Sequence, residues 1–415
     1  MNSTIDVIEA PPAATPPPPT AEIPFSVDAL VDATPAGRDR MVDLLRALSI
    51  GVVVLWHWVL SVTNVNDAGQ LTMPNPIGDV PLLWLATWLL QVMPVFFFVG
   101  GFSNLAALEA VERRGGGWVD FARSRLRRLL VPIGVFVAAW VVGDGAARLL
   151  GLDTTGVWHW GRVVFVPLWF LGVYTGVVLL APVTARLHRS GRELTLIGMA
   201  SAIALCDLGR FRFGVDELGL VNFALVFLFA HQLGYFWRDG TFTRWPRRTL
   251  WTMALAALVV LIVITNLGVY PHSMVAVRGE AVSNMFPTTA CIAVLAVFQM
   301  AVAMLLRPAA ERWLNRRAVW KAVVAANGVA MTVFTWHMTA LVAVIGIWRL
   351  FGLELLDQPT STWWSQRPIW LIGPALVLAV LVAIFARFER PRAGRKQAKS
   401  PGGQRGIAGP VMLGE

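Results

Sequence analysis

The run DLLRALSIGVVVLWHWVL, from Asp43 to Leu60, decides the fold class. It is long and apolar enough to make most of a membrane crossing, yet it carries Arg46 and His57. Eleven residue steps of roughly 100° come to three turns plus about 20°, so both side chains share one helix face about 16 Å apart along the axis. Arg46 then stands at a membrane edge and His57 well inside. Ionisable groups within a crossing are costly, which makes this pair the first candidate functional site.

The rest of the chain fits the same environment. Hydrophobic residues are 56% of 415 and charged residues 14%, too apolar for a soluble protein of this length. The expected fold class is all-α, a polytopic helical bundle. Crossings are expected at about 44–63, 81–105, 128–149, 163–183, 193–208, 219–236, 249–268, 286–306, 320–347 and 368–388. The fifth is short and ends in Asp207. Residues 1–38 begin Pro-rich and without a signal peptide, and 390–415 are basic and rich in Gly and Pro, so both are expected to be disordered tails around a 39–389 membrane domain.

The formal charge of +10 reflects topology rather than nucleic-acid binding. With ten crossings, 28 of the 35 Lys and Arg fall on one side and seven on the other. Dropping the fifth crossing would reverse every later loop and spoil this asymmetry. The positive-inside rule therefore places both termini in the cytoplasm. Gly172 and Gly176 form a GxxxG step expected to mark a close helix contact. Cys206 and Cys291 lie in or beside apolar stretches without metal-ligand spacing, so they read as small buried residues, and no metal is expected.

Three histidines lie within crossings: His57, His231 and His337. His231 is expected to hydrogen-bond a neighbouring helix. A neutral imidazole at His57 could accept a proton during catalysis. Arg46 could pair locally with Asp43, snorkel to the interface, or hold an anion, since a guanidinium offers a fork that suits phosphate. Arg123, Arg125, Arg127 and Arg128 fall on the same side and read either as topology determinants or lipid-headgroup contacts, or as further anion ligands. No GxxxxGK[ST], HExxH or GxSxG motif is present. The outer stretch Asp207, Arg210, Arg212, Asp216 and Glu217 reads most simply as a solvated loop, with sugar binding as the alternative.

At these residues the chain resembles the acyltransferase 3 family of integral membrane acyltransferases. Asp43-Leu-Leu-Arg46, with His57 following ten residues after the Arg, matches the family's Arg-x10-His hallmark in its first helix. Pro94-Val-Phe-Phe-Phe98 with Gly101-Phe102 is similar to its second-helix motif, and Arg125-Leu-Arg-Arg128 to its Arg-rich third-helix entry. Pro167-Leu-Trp169-Phe-Leu171 resembles its WFL segment, and Thr335-Trp-His337 its late L-x-H. Gly100 stands where many members have Ser, so no role for that hydroxyl carries over. The extracytoplasmic SGNH hydrolase-like extension of many members is not seen, so a stand-alone form is expected.

The resemblance implies transfer of an acyl group, usually acetyl, from cytoplasmic acyl-CoA to a hydroxyl of a cell-envelope carbohydrate or glycolipid, in a bacterial cytoplasmic membrane. On that expectation His57 is the base, and Arg46, with Arg125 and Arg128, holds the CoA phosphates. His337 and Trp169 would contact the acceptor, with a core hydrogen bond equally open for His337. Arg outnumbers Lys by 32 to 3, which hints at a GC-rich genome and makes an actinobacterial mycolate-type glycolipid one conceivable acceptor. Membrane lipids are the other expected partners. A transporter or flippase of an envelope precursor, or a scaffold of envelope assembly, would also be compatible with ten crossings.

Overall fold

A computed structural model describes residues 26–151 and 154–389. After the short α1 (Val27–Asp32) come α2 (Arg40–Val59), α3 (Trp84–Leu90), α4 (Met93–Glu112), α5 (Trp118–Leu149) and α6 (Thr155–Phe165). They are followed by α7 (Leu168–Phe213), α8 (Leu218–Arg238), α9 (Thr241–Arg244), α10 (Arg247–Asn266) and α11 (Ala290–Leu314). The chain continues with α12 (Arg317–Gly328), α13 (Ala330–Leu350), α14 (Ser361–Ser365) and α15 (Arg367–Phe385). Among the described residues, strands are confined to a two-stranded hairpin pairing Asn64–Val65 with Leu71–Thr72.

Among the described residues, nine helical stretches are long and apolar enough to cross a membrane. One of them, Trp160–Phe213, runs for 54 residues, which at about 1.5 Å per residue far exceeds a hydrocarbon core of about 30 Å. Its helix bends at Gly191, whose φ of −175° and ψ of 73° leave the helical region. Divided there, the described chain makes ten crossings, the fifth running to Phe213 rather than ending near 208. The bend is pinned from both sides, because His188 and Arg192 each reach Asp239 Oδ2, at 3.2 and 3.1 Å. Burial raises the Asp239 pKa, but hydrogen bonds from Thr241, His188 and Arg192 outweigh it and hold this carboxyl below its ordinary value.

The start of α2 and the end of α15 lie at the same end of the bundle. Asn327 donates to the Asp43 carbonyl, and Glu389 accepts from the backbone amides of Met331 and Thr332 at the start of α13. This Arg-rich end is tied by Arg238 to Glu109, Arg189 to Glu112 and Arg307 to Asp39, the N-cap of α2. The disorder expected for 1–38 and 390–415 falls largely outside the described residues. Where 26–38 is described, however, α1 docks on α12 through Lys321–Asp28 (2.7 Å) and an Arg317–Asp32 pair, and Trp320 donates to Thr34. Charge complementarity orders a segment too polar to be recognised by its own burial.

Gly172 and Gly176 do not form the expected contact, since a Cβ at either would meet nothing within 4 Å. The close approach lies instead between α4 and α8. A Cβ on Gly101 would strike the His231 carbonyl, and one on Gly234 would strike that of Phe98. Around this point Phe97 stacks on Phe227 (4.4 Å between centroids) and Phe98 on Trp237 (5.1 Å). Gly101→Ala and Gly234→Ala should each lower the thermal unfolding midpoint in detergent, at a cost of about 1–3 kcal/mol from overpacking. Gly172→Ala, with open space at its Cβ, should be neutral or slightly stabilising.

Candidate active site

The α2 face predicted from spacing is the spine of the site. Between Arg46 and His57, Ser49, Ile50 and Val53 line a small apolar cavity of about 20 Å³, room for a single water molecule. Its other walls are Met93 and Phe96 of α4, Leu129 of α5, Phe170 and Tyr174 of α7, and Met331 and Phe334 of α13. Five crossings therefore converge on the gap between the two ionisable residues.

Beyond the cavity, His57 meets His337 of α13. Their rings lie 5.1 Å apart at 25°, and His57 Nδ1 is 3.0 Å from His337 Nε2. His337 Nδ1 lies 2.7 Å from the Phe334 carbonyl, which can only accept, so that nitrogen carries the proton. In the neutral pair His337 Nε2 is then an acceptor, and His57 Nδ1 must donate to it. The remaining lone pair sits on His57 Nε2, which has no hydrogen-bond partner among the described residues. Trp58 fastens the same two helices by donating to the His337 carbonyl at 3.0 Å. His337 is fully buried and His57 half-buried.

At the Arg-rich end the predicted arginines gather. Arg46 donates to Ser103 Oγ at 2.7 Å and sits 3.3 Å from Asp43, whose carboxylate is also held by Arg38 at 2.6 and 2.9 Å. Arg125 reaches Asn104 Oδ1 through Nε at 2.8 Å and through Nη2. Arg128 follows Arg125 by three residues in α5, on the same side of the helix. Arg128 itself is exposed. The local Asp43–Arg46 pair and the clustering of cations are thus both present, and Asp43 is shared between Arg38 and Arg46.

Ser103 and Asn104 were not singled out from the sequence, although two polar residues inside the α4 apolar stretch are the kind of signal that marks a site. His231 bonds a neighbouring helix as expected, through Asn104 Nδ2 at 3.0 Å. Trp169 is not brought to the cavity. It packs on Phe170 and Phe223 and is 37% exposed, while its neighbours Phe170 and Leu171 form the wall.

The charged stretch from Asp207 to Glu217 is not simply a solvated loop. Asp207 lies in α7, buried, and accepts from Asn222 (2.6 Å), Tyr270 (2.9 Å) and the Ala290 amide that begins α11 (2.7 Å). A carboxylate at a helix N-terminus meets both unpaired amides and the positive end of the dipole. Arg212, Asp216 and Glu217 are exposed. Cys206 and Cys291 are buried thiols.

The family model described as an acyltransferase domain, that of the acyltransferase 3 family, matches residues 40–388. No curated protein and no solved structure matches the chain.

The departure at Gly100 has a steric partner. A Cβ there would lie 2.9 Å from Tyr174 Cε2 and 3.2 Å from its hydroxyl. Gly100→Ser should therefore lower the unfolding midpoint, and Tyr174→Ala should recover part of that loss in a double-mutant cycle, since the two positions compete for the same space.

Proposed function

The chain belongs to the acyltransferase 3 family, and from that premise we propose that it is an acetyl-CoA-dependent O-acyltransferase of a bacterial cytoplasmic membrane. Its acceptor is a hydroxyl of a cell-envelope carbohydrate or glycolipid. Both termini, and with them the Arg-rich end, face the cytoplasm where acetyl-CoA is available. The observation that carries this reading is the free lone pair on His57 Nε2, at the far end of an apolar cavity from Arg46.

A sugar hydroxyl holds its proton far above neutral pH, so attack on a thioester needs a base positioned to remove it. His57 Nε2 takes that proton as the hydroxyl oxygen bonds to the thioester carbonyl carbon. When the tetrahedral adduct collapses, the C–S bond breaks and the leaving thiolate recovers the proton from His57. The products are the O-acyl ester and CoA. His337 keeps the Nδ1 proton of His57 in place, so the lone pair always faces the substrate side. Arg46, Arg125 and Arg128 attract the CoA phosphates, with the guanidinium forks suited to their oxygens. The cavity has room for only one water, so the aromatic side chains around it must part to admit the thioester, which keeps bulk water from competing.

Purified protein given acetyl-CoA and a panel of envelope glycans and glycolipids should release CoA only in the presence of an acceptor. His57→Gln should lower kcat by about 10²–10⁴, the usual contribution of a general base, with the KM for acetyl-CoA little changed. His337→Phe should fall between wild type and that variant. Acceptor translocation without CoA turnover, or full activity in His57→Gln, would overturn the reading.

A further inference from the structure

Arg125 has an unusual partner for a cation inside a membrane crossing: the neutral amide oxygen of Asn104, which is fully buried. An amide can face a guanidinium either way round, but its NH2 against the N–H fork would set donor against donor. Arg125 therefore requires Oδ1, and the amide NH2 must find an acceptor elsewhere. It finds His231 Nε2, at 3.0 Å, on a ring that is itself fully buried. That bond needs an unprotonated Nε2, which leaves the His231 proton on Nδ1, an atom with no hydrogen-bond partner among the described residues. His231 thus locks the amide, and the amide locks the arginine.

This relay depends on the backbone. Asn104 and His231 lie next to the point where Gly101 and Gly234 bring α4 and α8 together. Ser103, the preceding residue, holds Arg46 in the same manner through another neutral oxygen. Arg125 is oriented by an oxygen that does not cancel its charge, whereas Arg46 also pairs with a carboxylate. Asp43 is the carboxylate bonded to this group, and it is shared between Arg38 and Arg46.

Resting on the donor-binding reading above, we propose that Asn104 and His231 are positioning residues that present Arg125 to a CoA phosphate with its charge uncompensated. The site is specific to a polyanionic donor because Asn104 orients Arg125 without neutralising it. A carboxylate at 104 would hold Arg125 equally well but remove the charge.

The test is binding of free CoA to the detergent-solubilised full chain by calorimetry, alongside steady-state kinetics. Asn104→Asp should weaken CoA binding by about tenfold or more and raise the KM for acetyl-CoA to match, with kcat at saturation held within about twofold. His231→Leu, which removes the acceptor and frees the amide to turn, should weaken CoA similarly. His231→Gln, whose Oε1 can accept from the Asn104 amide, should restore binding to within about threefold of wild type. Wild-type affinity in Asn104→Asp would overturn the proposal, as would His231→Gln behaving like His231→Leu at equal thermal stability. Should Asn104→Asp fail to fold, the two His231 variants decide. Absence of CoA binding by the wild type would instead overturn the donor-binding reading itself.

Discussion

The contact on which the bundle and its site depend is the backbone approach of α4 and α8 at Gly101 and Gly234. In a membrane, helices gain nothing from hiding apolar surface from lipid tails, so packing and interhelical hydrogen bonds decide which faces meet. Two glycines let the helices touch backbone to backbone, and Phe97, Phe98, Phe227 and Trp237 close around them. With α4 fixed in this way, its polar pair Ser103 and Asn104 can reach α2 and α5. The arginine cluster is therefore a consequence of helix packing, and not only of where arginines occur in the chain.

The two ends of the site are built on opposite electrostatic logic. At the histidine end a chain of neutral donors and acceptors runs from His57 through His337 to the Phe334 carbonyl and leaves one lone pair over. At the arginine end Ser103 and Asn104 orient Arg46 and Arg125 through neutral oxygens, and a single carboxylate, Asp43, is shared between Arg38 and Arg46. Five crossings enclose the apolar gap between them. An unshared imidazole lone pair and a cluster of guanidinium groups are thus kept about 16 Å apart by the rise of one helix.

How much of this was legible in the sequence follows from the range of each interaction. The shared face of Arg46 and His57 depends only on helical period, and the cavity lining at Ser49, Ile50 and Val53 bears it out. The crossing count came from the apolar stretches, and charge asymmetry supported the fifth, where hydropathy alone was marginal. Pairings between distant segments were not legible. Gly172 and Gly176 carried the familiar motif but face open space, whereas Gly101 and Gly234 are single glycines far apart in the chain. The ring pairing of His57 with His337 spans 280 residues, and nothing local in either segment announces it. Trp169 was placed beside the acceptor because it lies in a recognisable segment, yet helix rotation turns Phe170 inward instead.

Asp207 has a consequence for how the protein is made. Its carboxylate sits within the fifth crossing, and its three partners come from α8, the loop at Tyr270 and the start of α11, the last lying 83 residues downstream. Until those segments have emerged and inserted, the fifth crossing carries a carboxylate that the bilayer disfavours and the protein has not yet claimed. This crossing is therefore secured late, by helices synthesised after it. Biogenesis of this bundle is not a simple succession of independent insertions, because one member waits in the membrane for its counterparts to arrive.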